Sequence, residues 1–478
     1  MQEMKRTKIV ATWGPSCAVP GMAEKLIAGG VNLFRLNFSH GNHGEKLIAL
    51  EAIRKASAAC KTPVGVIADL QGPKIRTGKM LNGSMLLIDG SEVEIAVSET
   101  QTDPGIIPTV YERLVDDVQP GSRILLDDGH MELQVIAATA NKVRCLVVKG
   151  GSLKDNKGIN LPQVNVSAPS LTEKDLEDLR FCAGIDIDWV ALSFVRVPSD
   201  IMNIKVELSR LNCDVPVIAK LEKPEAVDNL DGIIAVADAL MVARGDLGVE
   251  MEPEQLPLIQ KRMIAACNRA GKPVITATQM LESMTDNSRP TRAEASDVAN
   301  AILDGTDAVM LSGETAVGNY PLETVTTMTK IALTVEQSTL RNSHHLCPEG
   351  GEIDIAIARA ASEASESFNA RVIVTLTASG HMAALMAGCR PTAPIVAITP
   401  DEGVRRRLAL HWGITSMAMS MKSNTDDVVA EAGRLLLAHG FSYGDMVVMT
   451  MGAPIAARST TNQIRIFKLG ESPSEPLP

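Results

Sequence analysis

The chain has 478 residues, enough for two to four domains with sizeable cores. Apolar residues make up 45% of it and aromatic residues only 3%, so the cores must consist of Leu, Ile, Val, Ala and Met. The formal net charge of −11 argues against a nucleic-acid or anionic-membrane surface, although a local basic pocket for phosphates is compatible with it. No apolar run has the length of a membrane span. We therefore expect a small-molecule partner.

The cysteines predict the redox compartment. Eight of them are scattered from Cys17 to Cys389, with no C-x-x-C pair, no cluster with histidines at ligand spacing and no secretory leader ahead of them. This usage predicts reduced, mostly buried thiols and a cytoplasmic protein.

The amino-terminal part alternates short apolar runs with amphipathic segments. Its first three predicted strands are Lys8–Thr12, Val31–Phe38 and Val64–Leu70. From Pro73 to about Ala168 the pattern changes to short strands of period two, with a hairpin turn at Asp128-Gly129. This change predicts an inserted all-β domain.

The first pattern resumes after Thr172, which forms a capping-box-like helix start with Asp175. Five further predicted strands follow: Asp188–Phe194, Val215–Glu222, Ala239–Ala243, Pro273–Thr278 and Asp307–Ser312. Eight strands joined by helical segments predict a closed (β/α)8 TIM barrel. Beyond about Asn342, helix and strand alternation predicts an open doubly wound α/β domain. The expected domains are a catalytic barrel (1–71 and 169–342), an inserted β-barrel lid (72–168) and a carboxy-terminal regulatory domain (343–478).

Polar residues mark the carboxyl ends of the predicted barrel strands, where a TIM barrel carries its chemistry. A strand that merely stops where polarity returns would explain one or two of these ends, but not seven. The residues are Arg35, Asn37, Ser39, Asp69, Ser193, Lys220, Glu222, Asp246, Thr278, Ser312 and Glu314.

The segment from Met241 to Glu250 predicts a buried strand that runs into a glycine-bracketed turn. Such a turn presents free backbone N–H groups to an anion, and Asp246 offers a hard oxygen ligand. The period of two along the preceding strand puts Lys220 and Glu222 on one side. The pattern indicates a Mg²⁺ site for phosphoryl transfer. The alternative is a surface turn with an exposed lysine and two solvated acids.

Five motifs, in order over essentially the whole chain, resemble pyruvate kinase. They are RLNFSHG (35–41), DLQGPKIR (69–76), KLE (220–222), VARGDLGVE (242–250) and ITATQMLESM (275–284). The resemblance implies phosphoryl transfer from phosphoenolpyruvate to ADP, giving pyruvate and ATP, with two Mg²⁺ ions per site. One ion would be held by Glu222 and Asp246, and the other would arrive with the nucleotide.

The resemblance also implies the roles of the remaining site residues. Lys220 would stabilise the charge on the transferring phosphoryl group and the enolate, Arg35 would bind the phosphate, and Thr278 would relay a proton through water. Ser193, Gly245, Asp246 and Thr278 would complete the substrate site, and Asn37, His40, Arg76 and Lys157 would contact the nucleotide. For His40 and Lys157, a capped histidine and a solvated hairpin lysine are the alternatives.

Two departures from the family pattern predict special properties. Many members bind potassium near positions equivalent to Asn37, Ser39, Asp69 and Leu70 and carry glutamate where this chain has Lys74. An ammonium group can replace a monovalent cation, so we expect a lysine-bearing, potassium-independent subgroup in which Leu70 contributes only a backbone carbonyl.

The second departure concerns the effector loop, which would comprise Thr377, Ser379, Gly380 and His381. His381-Met382 stands where the fructose 1,6-bisphosphate loop tends to have a basic residue and Ser or Thr, and the loop Gly452–Ser459 lacks a tryptophan. A sugar or nucleotide monophosphate is therefore an equally good activator, and a plain strand-to-helix turn remains an alternative. The family also implies an allosteric homotetramer. From its place between the third predicted strand and the rest of the barrel, we hypothesise that the inserted domain closes over the substrate as a lid, with hinges at Pro73 and Ser167–Pro169.

Two other functions remain open from the sequence. One is a different Mg²⁺-dependent barrel enzyme that acts on phosphoenolpyruvate or an oxoacid enolate. The other is a non-catalytic sugar-phosphate sensor on the same fold.

Overall fold

The computed structural model describes residues 5–164, 166–338, 347–420, 424–452 and 461–470. The chain starts with three strands and two helices: β1 (Lys8–Thr12), α1 (Met22–Gly29), β2 (Leu33–Asn37), α2 (His43–Ala59) and β3 (Gly65–Asp69). Every residue of β1 and β3 is buried, as expected for parallel strands covered on both faces.

The inserted segment is built almost entirely from strands. Its elements are β4 (Ser84–Leu87), β5 (Glu92–Val97), β6 (Ile106–Thr109), α3 (Leu114–Asp117), β7 (Arg123–Leu126), β8 (Met131–Ala138), β9 (Lys142–Lys149), β10 (Gly151–Lys154) and β11 (Ile159–Asn160). They form a six-stranded sheet, β11-β7-β8-β9-β5-β6, and a two-stranded sheet, β10-β4. The predicted hairpin is confirmed, because Asp128 and Gly129 join β7 to β8 with φ values of 54° and 83°.

The strand and helix alternation then resumes. Its strands are β12 (Trp189–Leu192), β13 (Val217–Leu221), β14 (Ala239–Ala243), β15 (Val274–Ala277) and β16 (Ala308–Leu311). Its helices are α4 (Glu173–Ala183), α5 (Pro198–Arg210), α6 (Pro224–Asp228), α7 (Leu230–Val236), α8 (Arg244–Glu250), α9 (Leu256–Arg269), α10 (Arg292–Leu303), α11 (Gly313–Ala316) and α12 (Pro321–Gln337), with a 3-10 turn at Glu282–Thr285. Thr172 and Asp175 form the predicted capping box at the start of α4.

Eight parallel strands close into one barrel in the order β1-β16-β15-β14-β13-β12-β3-β2, which confirms the predicted TIM barrel. Several of these strands end one residue earlier than predicted. Glu222 and Thr278 therefore lie just beyond strand ends, at the face where the loops converge.

The carboxy-terminal part is an α/β unit, as predicted. It contains α13 (Ile353–Ser367), β17 (Val372–Leu376), α14 (His381–Gly388), β18 (Ile395–Thr399), α15 (Glu402–Arg407), a 3-10 turn at Leu408–Leu410, β19 (Ile414–Ala418), α16 (Thr425–Ala438), β20 (Met446–Met451) and β21 (Gln463–Lys468). The sheet order is β19-β18-β17-β20-β21, with β21 antiparallel to β20. The predicted boundary at 342/343 lies outside the described residues.

This carboxy-terminal unit closes the floor of the barrel. Leu410 packs in one apolar cluster with barrel-interior residues such as Val10 and Ile67. Polar contacts flank the cluster: the buried Lys8 Nζ donates to the Ile414 carbonyl at 2.6 Å, and Arg406 Nε lies 2.7 Å from Asp188 Oδ1. The site at the opposite, carboxyl end of the strands is thus built on a barrel closed at both its wall and its floor.

The prediction that all cysteines are reduced is wrong for one pair. Cys347 and Cys389 form a disulfide, whereas the other six cysteines are free. Pro348, next to Cys347, packs against Gly388, next to Cys389, so the two segments lie side by side although they are distant in sequence. Within the described residues, no helix is long and apolar enough to span a membrane.

Candidate active site

Lys220 is the centre of a buried network at the carboxyl end of the barrel. Its ammonium group lies 2.9 Å from Glu222 Oε1 and 3.1 Å from Asp69 Oδ1, and it donates to the Ser193 hydroxyl at 2.7 Å. Burial lowers the pKa of Lys220, but Asp69 and Glu222 outweigh burial, so the pKa ends above its ordinary value. Lys220 is therefore a fixed positive charge.

Arg35 adds a second cation to this network. Its Nε lies 2.5 Å from Asp69 Oδ2, and its Nη1 donates to the Thr12 hydroxyl at 3.2 Å. Burial raises the pKa of Asp69, but Lys220 and Arg35 together lower it below its ordinary value. Asp69 is thus an ionised residue that holds two cations side by side, an arrangement suited to an anion with several negative oxygens.

The two candidate metal ligands also lie near each other. Glu222 is 1% exposed, and its Oε2 accepts the Phe194 N–H at 2.8 Å. Burial raises the pKa of Glu222, Lys220 opposes this, and the charge of Asp246 raises it further. A divalent cation would relieve this repulsion, and carboxylate oxygens are the donors Mg²⁺ prefers, so the pair fits such an ion. No cluster of three or more metal-binding side chains occurs in the described parts of the chain.

The glycine-bracketed turn differs from its prediction. Helix α8 begins at Arg244, directly after β14, so Gly245 and Asp246 lie in its first turn. The Gly245 N–H is not free, because it donates to the Thr278 hydroxyl at 2.7 Å. Thr278 in turn donates to the Ala277 carbonyl at 2.6 Å and has a φ of 64°. The structure therefore joins the predicted carboxylate site to the predicted proton relay by one hydrogen bond.

Sequence reasoning missed Arg244. Its guanidinium group spans the loop after β15, donating to the Thr278 carbonyl at 2.5 Å and the Gln279 carbonyl at 3.2 Å. A motif gives no signal for this contact, since the partners are 34 and 35 residues away.

The residues of the predicted monovalent-cation region make contacts with their neighbours in the structure. The Asn37 side chain accepts the Ser39 N–H at 3.0 Å. The Leu70 carbonyl, predicted to face a cation, accepts the Ser193 hydroxyl at 2.7 Å. Lys74 lies at the rim of the cleft between the inserted segment and the barrel, together with Asp128, Phe194 and Asp246.

The predicted nucleotide residues lie around a positive region. Burial lowers the pKa of His40, and the nearby charges of Arg76, Lys74, Lys46 and Arg35 lower it further. This combination indicates a neutral imidazole in a field that attracts phosphates. Lys157 is paired with Asp127 Oδ1 at 2.8 Å, so it is not simply a solvated lysine.

The inserted segment contacts the barrel through residues that the sequence did not single out. Asn160 Nδ2 donates to Glu250 Oε1 at 3.2 Å, and the same oxygen lies 2.6 Å from Lys223 Nζ. Arg196 donates to the Val166 and Ala168 carbonyls, next to the predicted second hinge. The bond of Asn160 ties β11 to the end of α8.

The predicted effector loop has its polar groups turned onto its own backbone. The Thr377 hydroxyl accepts the Gly380 N–H at 2.8 Å, and Ser379 accepts the His381 N–H at 3.4 Å. Both contacts fit a plain strand-to-helix turn. The loop Gly452–Ser459 falls almost wholly outside the described residues.

Comparisons with known proteins agree with this architecture. Residues 4–325 match the family model described as pyruvate kinase, barrel domain, and residues 355–467 match pyruvate kinase, alpha/beta domain. A pyruvate kinase of Mycobacterium tuberculosis is 44% identical, covering 98% of this chain and 99% of the relative. One from Sporosarcina psychrophila is also 44% identical, covering 98% of this chain and 81% of the relative.

A solved structure shows the same fold. The crystal structure of a pyruvate kinase from Cryptosporidium parvum superposes with a TM-score of 0.92 at 35% identity, covering 97% of this chain and 96% of the other. With two family models in order and whole-length relatives, the chain belongs to the pyruvate kinase family of phosphotransferases.

Proposed function

We propose that the chain transfers the phosphoryl group of phosphoenolpyruvate to ADP in a Mg²⁺-dependent reaction that gives pyruvate and ATP. The observation that carries this proposal is the buried network of Lys220, Asp69 and Glu222 beside Asp246. A fixed ammonium group, flanked by a guanidinium group and two candidate metal ligands, is the set that phosphoryl transfer needs.

The charge and position of each side chain determine the role that we propose for it. Arg35 and Lys220 would bind the phosphoryl oxygens, and Lys220 would stabilise the negative charge that develops there and on the enolate oxygen. Glu222 and Asp246 would hold Mg²⁺, which when bound neutralises charge on the substrate oxygens. A second Mg²⁺ would accompany the nucleotide. Ser193 would orient Lys220, to which it is hydrogen-bonded.

The loop after β15 would complete the reaction on the carbon side. Gly245 and Asp246 in the first turn of α8, with Thr278, would hold the substrate carboxylate. The Thr278 hydroxyl would pass a proton, through water, to the enolate carbon. A hydroxyl is a poor acid on its own, so the rate of this proton transfer must depend on how the Thr278 hydroxyl is positioned.

The inserted segment would act as a lid that excludes water from the transferring phosphoryl group. Asn37, His40, Arg76 and Lys157 would contact the nucleotide, and Pro73 and Ser167–Pro169 would be the hinges. This assignment is supported by the shared cleft and by the positive field around His40. The expected domain boundaries at residues 72, 169 and 343 belong to the same proposal.

Lys74 would replace the potassium ion used by many relatives, placing this chain in a lysine-bearing, potassium-independent subgroup. Its charge already acts on His40, beside Asn37 and Ser39. The family implies a cytoplasmic enzyme that assembles as a homotetramer. Activation by a sugar or nucleotide monophosphate at Thr377, Ser379, Gly380 and His381 would complete the regulation.

The test is a pyruvate assay in a buffer free of potassium and ammonium ions. Purified protein is mixed with phosphoenolpyruvate, ADP and Mg²⁺, pyruvate is followed with a coupled dehydrogenase, and potassium is then added. Immediate pyruvate formation that potassium does not change is the expected result. Activity only after potassium would keep the reaction and remove the role of Lys74.

Absence of pyruvate under both conditions, even with sugar phosphates present, would contradict the enzyme proposal. Sugar-phosphate binding measured by calorimetry on the same sample would then favour the sensor function. Pyruvate formed without ADP would instead favour a different enzyme on the same barrel.

A further inference from the structure

The loop that carries Thr278 is strained. Thr278 and Gln279 are consecutive non-glycine residues with φ values of 64° and 52°. A β-branched side chain rarely adopts this left-handed conformation, and each such residue costs on the order of 1–3 kcal/mol. A loop of this kind persists only when its surroundings fix it.

Arg244 supplies those contacts. Its Nε lies 3.3 Å from the Ala277 carbonyl and 3.2 Å from the Thr278 carbonyl, and its Nη2 donates to the carbonyls of Thr278 and Gln279. One planar guanidinium group therefore bonds three successive carbonyls of the strained loop. Its five N–H donors in a fixed fork permit this, whereas a lysine ammonium group could not span them.

Arg244 is itself held in place. Its side chain is 11% exposed, and its Nη1 lies 2.6 Å from Asp297 Oδ2 on α10. The Gln260 side chain on α9 accepts a further bond at 3.3 Å. Because the backbone of Arg244 also begins α8, the residue ties the Gly245-Asp246 turn to the loop of Thr278.

The Ala277 carbonyl gives this arrangement a chemical consequence. In the structure that carbonyl accepts both the Thr278 hydroxyl and Arg244 Nε. When the hydroxyl turns toward a substrate or water, the carbonyl keeps its bond to Arg244. The O–H bond can then rotate while its oxygen still accepts the Gly245 N–H, and the buried Ala277 carbonyl is not left without a donor, which would otherwise cost about 1–3 kcal/mol.

We propose that Arg244 is a positioning residue that holds Thr278 in its left-handed conformation and frees the Thr278 hydroxyl for proton transfer. The proposal rests on the proposed function, since it assigns Thr278 to the protonation of the enolate. Arg244 acts through Thr278 and does not itself touch the substrate.

The test is a double-mutant cycle on turnover with the variants Arg244→Lys, Thr278→Ala and their combination. We expect Arg244→Lys to lower kcat by about 100-fold, the loss typical of a small misplacement of a reacting group. In the Thr278→Ala background the same change should lower kcat by less than about threefold, because the group it positions is gone. The KM for ADP should change by less than about twofold.

Arg54→Lys is the matched control. Arg54 also donates to two backbone carbonyls, those of Val64 at 2.8 Å and Asp186 at 2.6 Å, and to the carboxylate of Asp188 at 2.8 Å. It lies away from the site, so its change should affect stability and leave kcat nearly unchanged in both backgrounds. If Arg244→Lys does not fold, Asp297→Asn loosens the same guanidinium group and should show the same dependence on Thr278.

The outcomes separate the two proposals. Absence of turnover by the unmodified protein would overturn the proposed function together with this role. Turnover by the unmodified protein, with an Arg244→Lys loss equally large in both backgrounds, would overturn the positioning role alone.

Discussion

At the scale of single residues, the site depends on buried charges that fix one another. Glu222 is the clearest case, because burial and Asp246 raise its pKa while Lys220 opposes them. A carboxylate in this position gains most from a nearby divalent cation.

We therefore expect Glu222→Gln to raise the Mg²⁺ concentration needed for half-maximal activity by at least about tenfold, since it removes one of two protein carboxylates. Binding of Mn²⁺, followed by electron paramagnetic resonance, should weaken in parallel. Glu132→Gln, a change within the inserted sheet, is the control. Unchanged Mn²⁺ affinity in Glu222→Gln would contradict the ligand assignment.

Lys74 gives a second prediction at this scale. Lys74→Glu replaces the ammonium group by a carboxylate in a region of positive field, so activity without potassium should fall by at least about tenfold. Steady-state rates with and without potassium check this, and partial recovery with potassium is expected. Full turnover of the variant without potassium would contradict the proposal that Lys74 takes the place of the potassium ion.

Some of these residues were predictable and others were not. The period of two along β13 correctly placed Lys220 beside Glu222. The conformation of Thr278 was not predictable, because propensity disfavours a β-branched residue with positive φ, and the contacts with Arg244 and Gly245 that accompany this conformation are tertiary. The strained residue lies in the candidate site, where such exceptions are expected.

At the scale of elements, a small polar contact joins the inserted segment to the barrel at β11 and α8. Asn160 on β11 reaches Glu250 at the end of α8, and Lys223 neutralises that carboxylate. Neither β11, with two residues, nor the contact across 90 positions has a sequence signature.

We expect Asn160→Ala to weaken the contact between the barrel and the inserted segment, which we propose acts as a lid. One hydrogen bond to a charged group contributes about 1.5–3 kcal/mol, so the KM for ADP should rise by roughly tenfold while the fold stays intact. Amide hydrogen exchange of residues 157–162 should become faster. Lys142→Met, which breaks an ion pair within the inserted sheet, should change neither measurement. Unaltered exchange in Asn160→Ala would show that this contact does not hold the inserted segment against the barrel.

At the scale of the whole molecule, the carboxy-terminal unit completes the barrel floor around His411. Burial lowers the pKa of His411 to about 4, with Asp307 opposing and Lys8 and Arg390 adding to the shift. A histidine with a lowered pKa binds fewer protons when folded than when unfolded. It therefore stabilises the fold above its unfolded pKa, and this contribution is lost as the pH falls toward about 4.

This linkage predicts a pH-dependent stability. Between pH 7 and pH 5, neutral His411 should account for about 2 kcal/mol of the loss in unfolding free energy. In His411→Gln, the unfolding free energy should fall by that much less between pH 7 and pH 5, as measured by urea unfolding at the two pH values. An unchanged slope in the variant would mean that His411 does not titrate differently on unfolding.

The sequence predicted the order and class of the structural units but not how they join. Alternation of strands and helices is a local pattern, so it revealed the barrel and the carboxy-terminal sheet. The contact of Leu410 with Val10 spans most of the chain and has no local signal. The same applies to the disulfide between Cys347 and Cys389.

The most direct test of the central claim follows the phosphoryl group itself. Phosphorus NMR of the protein with phosphoenolpyruvate, ADP and Mg²⁺ should show the substrate phosphorus appearing as the γ-phosphate of ATP. Lys220→Met should bind phosphoenolpyruvate yet transfer at least about a thousandfold more slowly, since it removes the charge that stabilises the transferring group. Transfer by Lys220→Met within about tenfold of the unmodified rate would contradict the account.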